Sequence, residues 1–170
     1  PVRRCLKEQV PGAQGHLATK PGFADLGRFN PHVDKVHELD KGLGELVRRL
    51  KTERFDEVID LHHNLRTARI KRGLGRRSHG FRKLNVEKWL LVNLRLDRMP
   101  RVHIVDRYLD TVAHLGVRND HAGLELHIPA ERTVAPETLP ASHRKGYTAL
   151  AIGAAHFTKR LPEHRLIELA

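Results

Sequence analysis

A helical stripe that runs into a β-type segment and then into a second helix constrains this chain more than any other feature. Leu43, Leu46, Val47 and Leu50 fall on the i, i+3, i+4, i+7 positions of an amphipathic helix. Phe55-Asp-Glu-Val-Ile-Asp-Leu61 follows, with β-branched residues at its centre, and reads as a strand. Residues 64–74 then read as a helix ended by Gly73 and Gly75. The same alternation extends in both directions. Upstream, Val2, Leu6 and Val10 mark a helix closed by Pro11-Gly12. Residues 16–19 and 33–39 are short strand candidates on either side of a brief helix, 23–29, that stops before Asn30-Pro31.

Downstream, residues 77–81 are a short strand or loop. Residues 86–94 are apolar nearly all round, as in a helix packed on more than one side. Residues 104–115 carry a wide helical stripe ended by Gly116. Leu124, Leu126 and Ile128 alternate with Glu125 and His127, the period of a half-buried strand. Residues 147–152 form a continuous apolar strand candidate, followed by a helix starting near Pro162. Short strands alternating with helices predict an α/β fold with a mostly parallel sheet flanked by helices. Pro129, Pro136 and Pro140 mark a linker. The predicted organisation is a first domain over 1–130, a linker over 131–145, and the opening strand and helix of a second domain over 146–170.

Lys and Arg total 31 against 20 Asp and Glu, a net charge of +11 with neutral histidines. That excess calls for an anionic partner, whether nucleic acid, anionic lipid or a phosphorylated small molecule. The charge is concentrated: no acidic residue occurs between Asp60 and Glu87, where Arg66, Arg69, Lys71, Arg72, Arg76, Arg77, Arg82 and Lys83 all lie. Aromatic content is only 5%, and Phe81 is the lone aromatic of this basic stretch. A base-stacking platform is therefore poorly supported, and a basic α/β nucleic-acid-binding module stands as the alternative reading. Gly73-Leu-Gly75 follows a helix and not a strand, so it is not a dinucleotide-binding fingerprint. Cys5 is the single cysteine, which excludes a disulfide scaffold and a cysteine-type zinc site and fits a reducing, cytoplasmic compartment. The longest apolar cluster, Trp89-Leu-Leu-Val92, is far short of the ~18–20 residues of a membrane span. The pattern opens at Pro1 and stops at Ala170 inside helices, so a piece of a longer protein is expected.

Two places combine residues suited to chemistry. Ligands of parallel α/β sheets gather at the carboxyl ends of strands, and Asp60, His62, Asn64 and Arg66 follow such an end. Asn64 as a helix cap and Arg66 as a solvated side chain is the competing reading. His62 and His63, being adjacent, point apart on a strand or a helix, so no metal site is expected there. His103 and Arg107 are i, i+4 neighbours on one helix face and suit a phosphate or carboxylate; the alternative pairs Arg107 with Asp106 or Asp110. Lys159, after a strand candidate and ahead of a helix, is placed to meet a departing diphosphate, or is simply solvated.

Phe55-Asp-Glu-Val-Ile-Asp-Leu-His-His-Asn-Leu-Arg66 resembles the "YDxVIDLxxNLRS" segment of the ADP-heptose:lipopolysaccharide heptosyltransferases, glycosyltransferase family 9. Three more stretches agree in order. Lys20-Pro-Gly-Phe-Ala24 with Asn30-Pro-His-Val-Asp34 resembles the family's early sheet region. His103-Ile-Val-Asp-Arg107-Tyr108 resembles its "HxVxR" helix, and Gly153-Ala154 with Lys159-Arg160-Leu161-Pro162 its "PGAxxxxxKRWP" segment. Ile152 stands in place of the pattern's Pro and Leu161 in place of its Trp.

The resemblance implies a Rossmann-like domain of the two-domain GT-B arrangement. Arg66, His103, Arg107 and Asn64 would be on the acceptor side, and Lys159, Gly153 and Ala154 would face the donor diphosphate. It implies ADP-heptose as donor, an anionic lipid A/Kdo inner-core acceptor, and inversion at the transferred sugar. No metal or other cofactor is expected. It further implies peripheral contact with the cytoplasmic face of the inner membrane of a Gram-negative bacterium. The family's "SxGD" motif, whose Asp is the proposed general base, and its "DxGxxH" motif have no match here. No catalytic residue is therefore assigned in this chain, Asp60 being the remote substitute, and the chain as given is expected not to transfer sugar.

Overall fold

A computed structural model describes residues 1–149 and 152–169. The chain divides into two compact units, Pro1–Pro129 and Ala130–Ala170.

The first unit alternates helices and short strands. The helices are α1 (Val2–Gln9), α2 (Asp25–Arg28), α3 (Leu43–Thr52), α4 (Leu65–Leu74), α5 (Asn85–Leu94) and α6 (Ile104–Leu109). The strands are β1 (His16–Thr19), β2 (Lys35–Glu38), β3 (Glu57–Asp60) and β4 (Arg77–Gly80). Both strand pairs are parallel, as the alternation predicts. β1 pairs with β2 from His16↔Lys35 to Thr19↔Glu38, and β3 with β4 from Glu57↔Arg77 to Asp60↔Gly80. They form two separate two-stranded sheets, where one sheet was expected. Each strand is only four residues long, and β1 approaches the β3 segment through side chains, His16 lying edge-on to Phe55 at 5.1 Å.

The apolar stripes predicted from the sequence build the core. Cys5 of α1 packs with Leu109, Val112 and Val117, and Val2, Leu6, Val10, Ile59 and Val105 close around them. Leu46 and Leu50 bury the inner face of α3, and each such leucine contributes roughly 1.5–3 kcal/mol when removed from water. Gly27 makes room for β1 and β2: a Cβ there would stand 2.6 Å from Leu17 and 2.9 Å from Val36. Gly75 ends α4 with a positive φ of 62°, a conformation glycine adopts without strain.

Several expectations are corrected. The α5 stripe is not packed on more than one side: α5 buries no residue, and Val86, Trp89, Val92 and Leu94 are exposed. The 104–115 helix is α-helical only to Leu109 and tightens to a 3-10 helix over Asp110–Leu115. Residues 124–128 form no strand. Their alternation survives with its faces exchanged: Leu124, Leu126 and Ile128 face solvent while Glu125 turns inward. An ion pair decides this, since Glu125 Oε2 lies 2.9 Å from Nη1 of the buried Arg4.

The second unit carries short 3-10 turns at Ala130–Arg132, Pro136–Thr138, Ala141–His143 and Phe157–Lys159, followed by α7 (Glu163–Leu169). The expected strand over 147–152 includes Leu150 and Ala151, which lie outside the described residues; its other residues take no strand conformation. No described residue of this unit is buried.

Candidate functional site

Beyond the carboxyl end of β3 the chain turns sharply around Asp60. Asp60 is buried, and its Oδ1 accepts the backbone N–H groups of His62 (3.1 Å) and His63 (2.7 Å). Lys71 of α4 places its ammonium 3.0 Å from Oδ2. Burial pushes the Asp60 carboxyl up, but the His63 N–H, Lys71, Thr67 and the His62 N–H outweigh it and hold the group below the usual carboxylate range. Asp60 organises the turn, its two oxygens engaged by the His62 and His63 N–H groups and by Lys71.

Asn64 caps α4 in a capping box: its Oδ1 accepts Thr67 N–H at 3.0 Å, while Thr67 Oγ1 accepts Asn64 N–H at 2.9 Å. The side-chain oxygen of Asn64 is thereby engaged by the helix start. Arg66 stands exposed in the first turn of α4. Arg66, Arg69 and Arg72 share one exposed stripe of that helix, at i, i+3, i+6.

Past the carboxyl end of β4 lies a cavity of about 560 Å³. Its lining includes His79, Phe81, Arg82, Arg107, Asp110 and Thr111. Arg107 is positioned by two contacts: its Nη2 donates to the Arg82 carbonyl, and its guanidinium carbon lies 5.7 Å from the Phe81 ring centre. Phe81 is in turn held edge-on by Tyr108 at 4.8 Å. Arg82 pairs with Glu87. Asp106 does not pair with Arg107; it accepts Asn119 Nδ2 at 2.6 Å. At the cavity wall His79 stacks on His114 at 3.8 Å, and His114 Nε2 meets Glu57 Oε2 at 2.6 Å. That contact, with the neighbouring charges of His79 and Arg77, holds the Glu57 carboxyl below its ordinary value despite the opposing effect of burial.

The sequence-predicted residues are thus dispersed. Arg107 lines the cavity, whereas Arg66 and His103 do not. His103 caps α6, its Nδ1 accepting Val105 N–H at 3.3 Å. Lys159 ends an exposed 3-10 turn in the second unit, where the Ala154 carbonyl accepts Arg160 Nε at 2.9 Å and Gly153 has open space around it. The placing of Ser78, Phe81, Asp110 and Thr111 around Arg107 was missed, although the lone aromatic of the basic stretch marks its centre. The cavity offers a guanidinium over an aromatic face, a hydroxyl and a carboxylate. That combination suits a polyhydroxylated, anionic ligand.

A solved structure is similar to this chain: a glycosyl transferase family 9 protein from Veillonella parvula DSM 2008. It is 24% identical, with a TM-score of 0.71 over 99% of this chain and 53% of that one. This likeness establishes the fold as mixed α/β with short parallel sheets flanked by helices. The chain spans about half the length of that structure. Comparison with curated protein sequences returns no significant match. The sequence model of the family described as "Glycosyltransferase family 9 (heptosyltransferase)" matches residues 43–170. Since this is well over half of the chain, the protein belongs to glycosyltransferase family 9.

Proposed function

We propose that the protein is a glycosyltransferase that moves a heptose from ADP-heptose to an anionic lipid A/Kdo inner-core acceptor, with inversion at the transferred carbon. Family membership supports the reaction class. The observation that carries the acceptor side is the Arg107–Phe81 pair in the cavity past β4. A guanidinium fixed over an aromatic ring presents free N–H donors to a carboxylate or phosphate, and the ring supplies an apolar face for a sugar. Arg66, Asn64 and His103, which do not line this cavity, are proposed for the acceptor side on the family resemblance alone. Lys159, with the backbone around Gly153 and Ala154, is proposed for the donor diphosphate, whose growing charge needs a cation as the bond breaks.

We further propose that the protein works at the cytoplasmic face of an anionic membrane. No described helix is long and apolar enough to cross one. Two surface features support peripheral contact: the exposed Arg66, Arg69 and Arg72 stripe of α4, and the exposed Val86, Trp89 and Val92 stripe of α5. Each basic side chain near such a surface contributes about 1 kcal/mol. Neither comparison supports the nucleic-acid alternative.

The test is acceptor-dependent release of ADP from ADP-heptose, measured on the protein with its native termini. Release that requires a Kdo-bearing lipid A is expected. Binding of Kdo-lipid A that is unaffected by Arg107→Ala would overturn the acceptor assignment, and release with a neutral sugar acceptor alone would overturn the substrate class.

A further inference from the structure

Three groups of two histidines and one glutamate are assembled among the described residues of the first unit: His16, His37 and Glu53; Glu57, His79 and His114; and His32, Glu125 and His127. They differ in whether one ion can be shared. A metal bound by imidazole lies in the plane of the ring, about 2.0–2.1 Å from the nitrogen.

In the first group His16 Nδ1 and His37 Nε2 are closed on each other by a 3.1 Å hydrogen bond. Both Glu53 oxygens stand 3.9 Å from the nearer ring nitrogens, and Lys35 holds the carboxylate at 2.5 Å. In the second, His79 and His114 are stacked 3.8 Å apart with only 16° between their planes. Two nearly parallel planes share no nearby point, so one ion cannot lie in both.

The third group meets the requirement. The His32 and His127 rings are inclined by 66°, with centres 6.1 Å apart. An ion at bonding distance from both nitrogens sits about 3.2 Å from each ring centre, so rings 6.1 Å apart can share it with a wide N–ion–N angle of roughly 145°. Glu125 Oε1 lies 3.6 Å from His32 Nε2, and Glu125 Oε2 lies 3.5 Å from His127 Nε2. Each carboxylate oxygen thus faces one imidazole nitrogen at close to the ligand–ligand spacing of about 3.3 Å in a zinc site, and both spans exceed a hydrogen bond. His127 Nε2 is buried without a hydrogen-bond partner, which an ion would supply.

Arg4 acts as an outer support. It donates to Asp120 at 2.6 and 2.9 Å and to the Gly123 carbonyl at 3.0 Å, and it pairs with Glu125 at 2.9 Å. Metal-bound carboxylates are commonly oriented by such partners. Arg3 also faces Glu125, so two guanidiniums balance Asp120 and Glu125, and the pull on a cation comes from the two imidazole nitrogens and the carboxylate oxygens themselves.

We propose that His32, His127 and Glu125 form a site for a divalent transition metal, zinc being the best fit to two imidazoles and one carboxylate. The ion fastens the loop before β2 to the extended segment after α6, with a fourth position open to water. The residues are almost a hundred positions apart in sequence, so no local spacing announces the site.

The test is titration of the whole chain with Zn²⁺ against a chromophoric chelator, repeated with Co²⁺ to read its visible bands. The tightest-bound equivalent is expected to weaken at least tenfold in His127→Ala and in His32→Ala, and to be unchanged in His79→Ala. Zn²⁺ should also raise the melting temperature of the parent chain but not of His127→Ala. Circular dichroism of each variant separates loss of the site from loss of the fold. Absence of zinc binding tighter than about 100 μM, or binding lost in His79→Ala and retained in His32→Ala and His127→Ala, would overturn the proposal.

Discussion

The Lys71 ammonium lies 3.0 Å from the buried Asp60 carboxylate and ties α4 to the end of β3. Burial raises the Asp60 carboxyl, the His63 N–H and Lys71 lower it further, and its folded value sits below the unfolded value of about 3.9. Its stabilisation is therefore fully present above about pH 4 and is lost as pH falls through the folded value. Asp60→Asn should flatten the acid limb of the stability curve below about pH 4. Lys71→Met, which leaves the carboxylate without its cation, should cost about 1.5–3 kcal/mol at neutral pH and move acid unfolding to higher pH. Urea melts between pH 3 and 7 check both outcomes.

Gly27→Ala should destabilise the first unit by about 1–3 kcal/mol, because its Cβ would press on Leu17 and Val36 at once. Gly44→Ala is the control. It lies in the first turn of α3 with nothing within 4 Å of a Cβ, so helix propensity should make it neutral or stabilising by up to about 1 kcal/mol. Thermal melts of the two variants beside the parent decide the matter. Equal effects would mean that α2 does not pack on β1 and β2 as described.

Trp89 is the single tryptophan and stands exposed on α5, so it reports membrane contact without labelling. Anionic vesicles should shift its emission to the blue, with an affinity that falls as salt rises. Reversing Arg69 and Arg72 to Glu should weaken vesicle binding about tenfold or more. Binding equal on neutral vesicles would contradict a surface read by charge.

The periodic signals proved the most legible. The stripe from Leu43 to Leu50 became α3, and the run of Glu57-Val-Ile-Asp60 became a parallel strand. Asn64 takes the part of a helix cap, the competing reading to the acceptor role expected of it, because capping is local chemistry between residues three apart. Failures occurred where distant partners decide. Leu124, Leu126 and Ile128 have the period of a half-buried strand, yet Arg4 draws Glu125 inward from more than a hundred residues away. The α5 stripe predicted burial on several sides, but burial needs elements to cover it, and none of the described elements does. In the candidate site the sequence picked out Arg107. Its position over the Phe81 ring depends on a loop over twenty residues upstream, which no spacing around Arg107 announces.

Arg107→Ala should lower affinity for a phosphorylated, Kdo-bearing acceptor by about 10–100-fold, the value of losing charged hydrogen bonds. Arg107→Lys should fall between, since it keeps the charge and loses the planar contact with Phe81. Arg66→Ala, outside the cavity lining, should cost less than either. Calorimetric titration of the three variants ranks them.

Amide chemical-shift mapping of the chain during titration with that acceptor tests the central claim most directly. The acceptor should perturb Ser78, His79, Gly80, Phe81 and Arg82 at the end of β4, together with Arg107, Asp110 and Thr111, and these shifts should vanish in Arg107→Ala. Perturbations confined to Arg66, Arg69 and Arg72 on α4, with β4 and α6 unmoved, would contradict it.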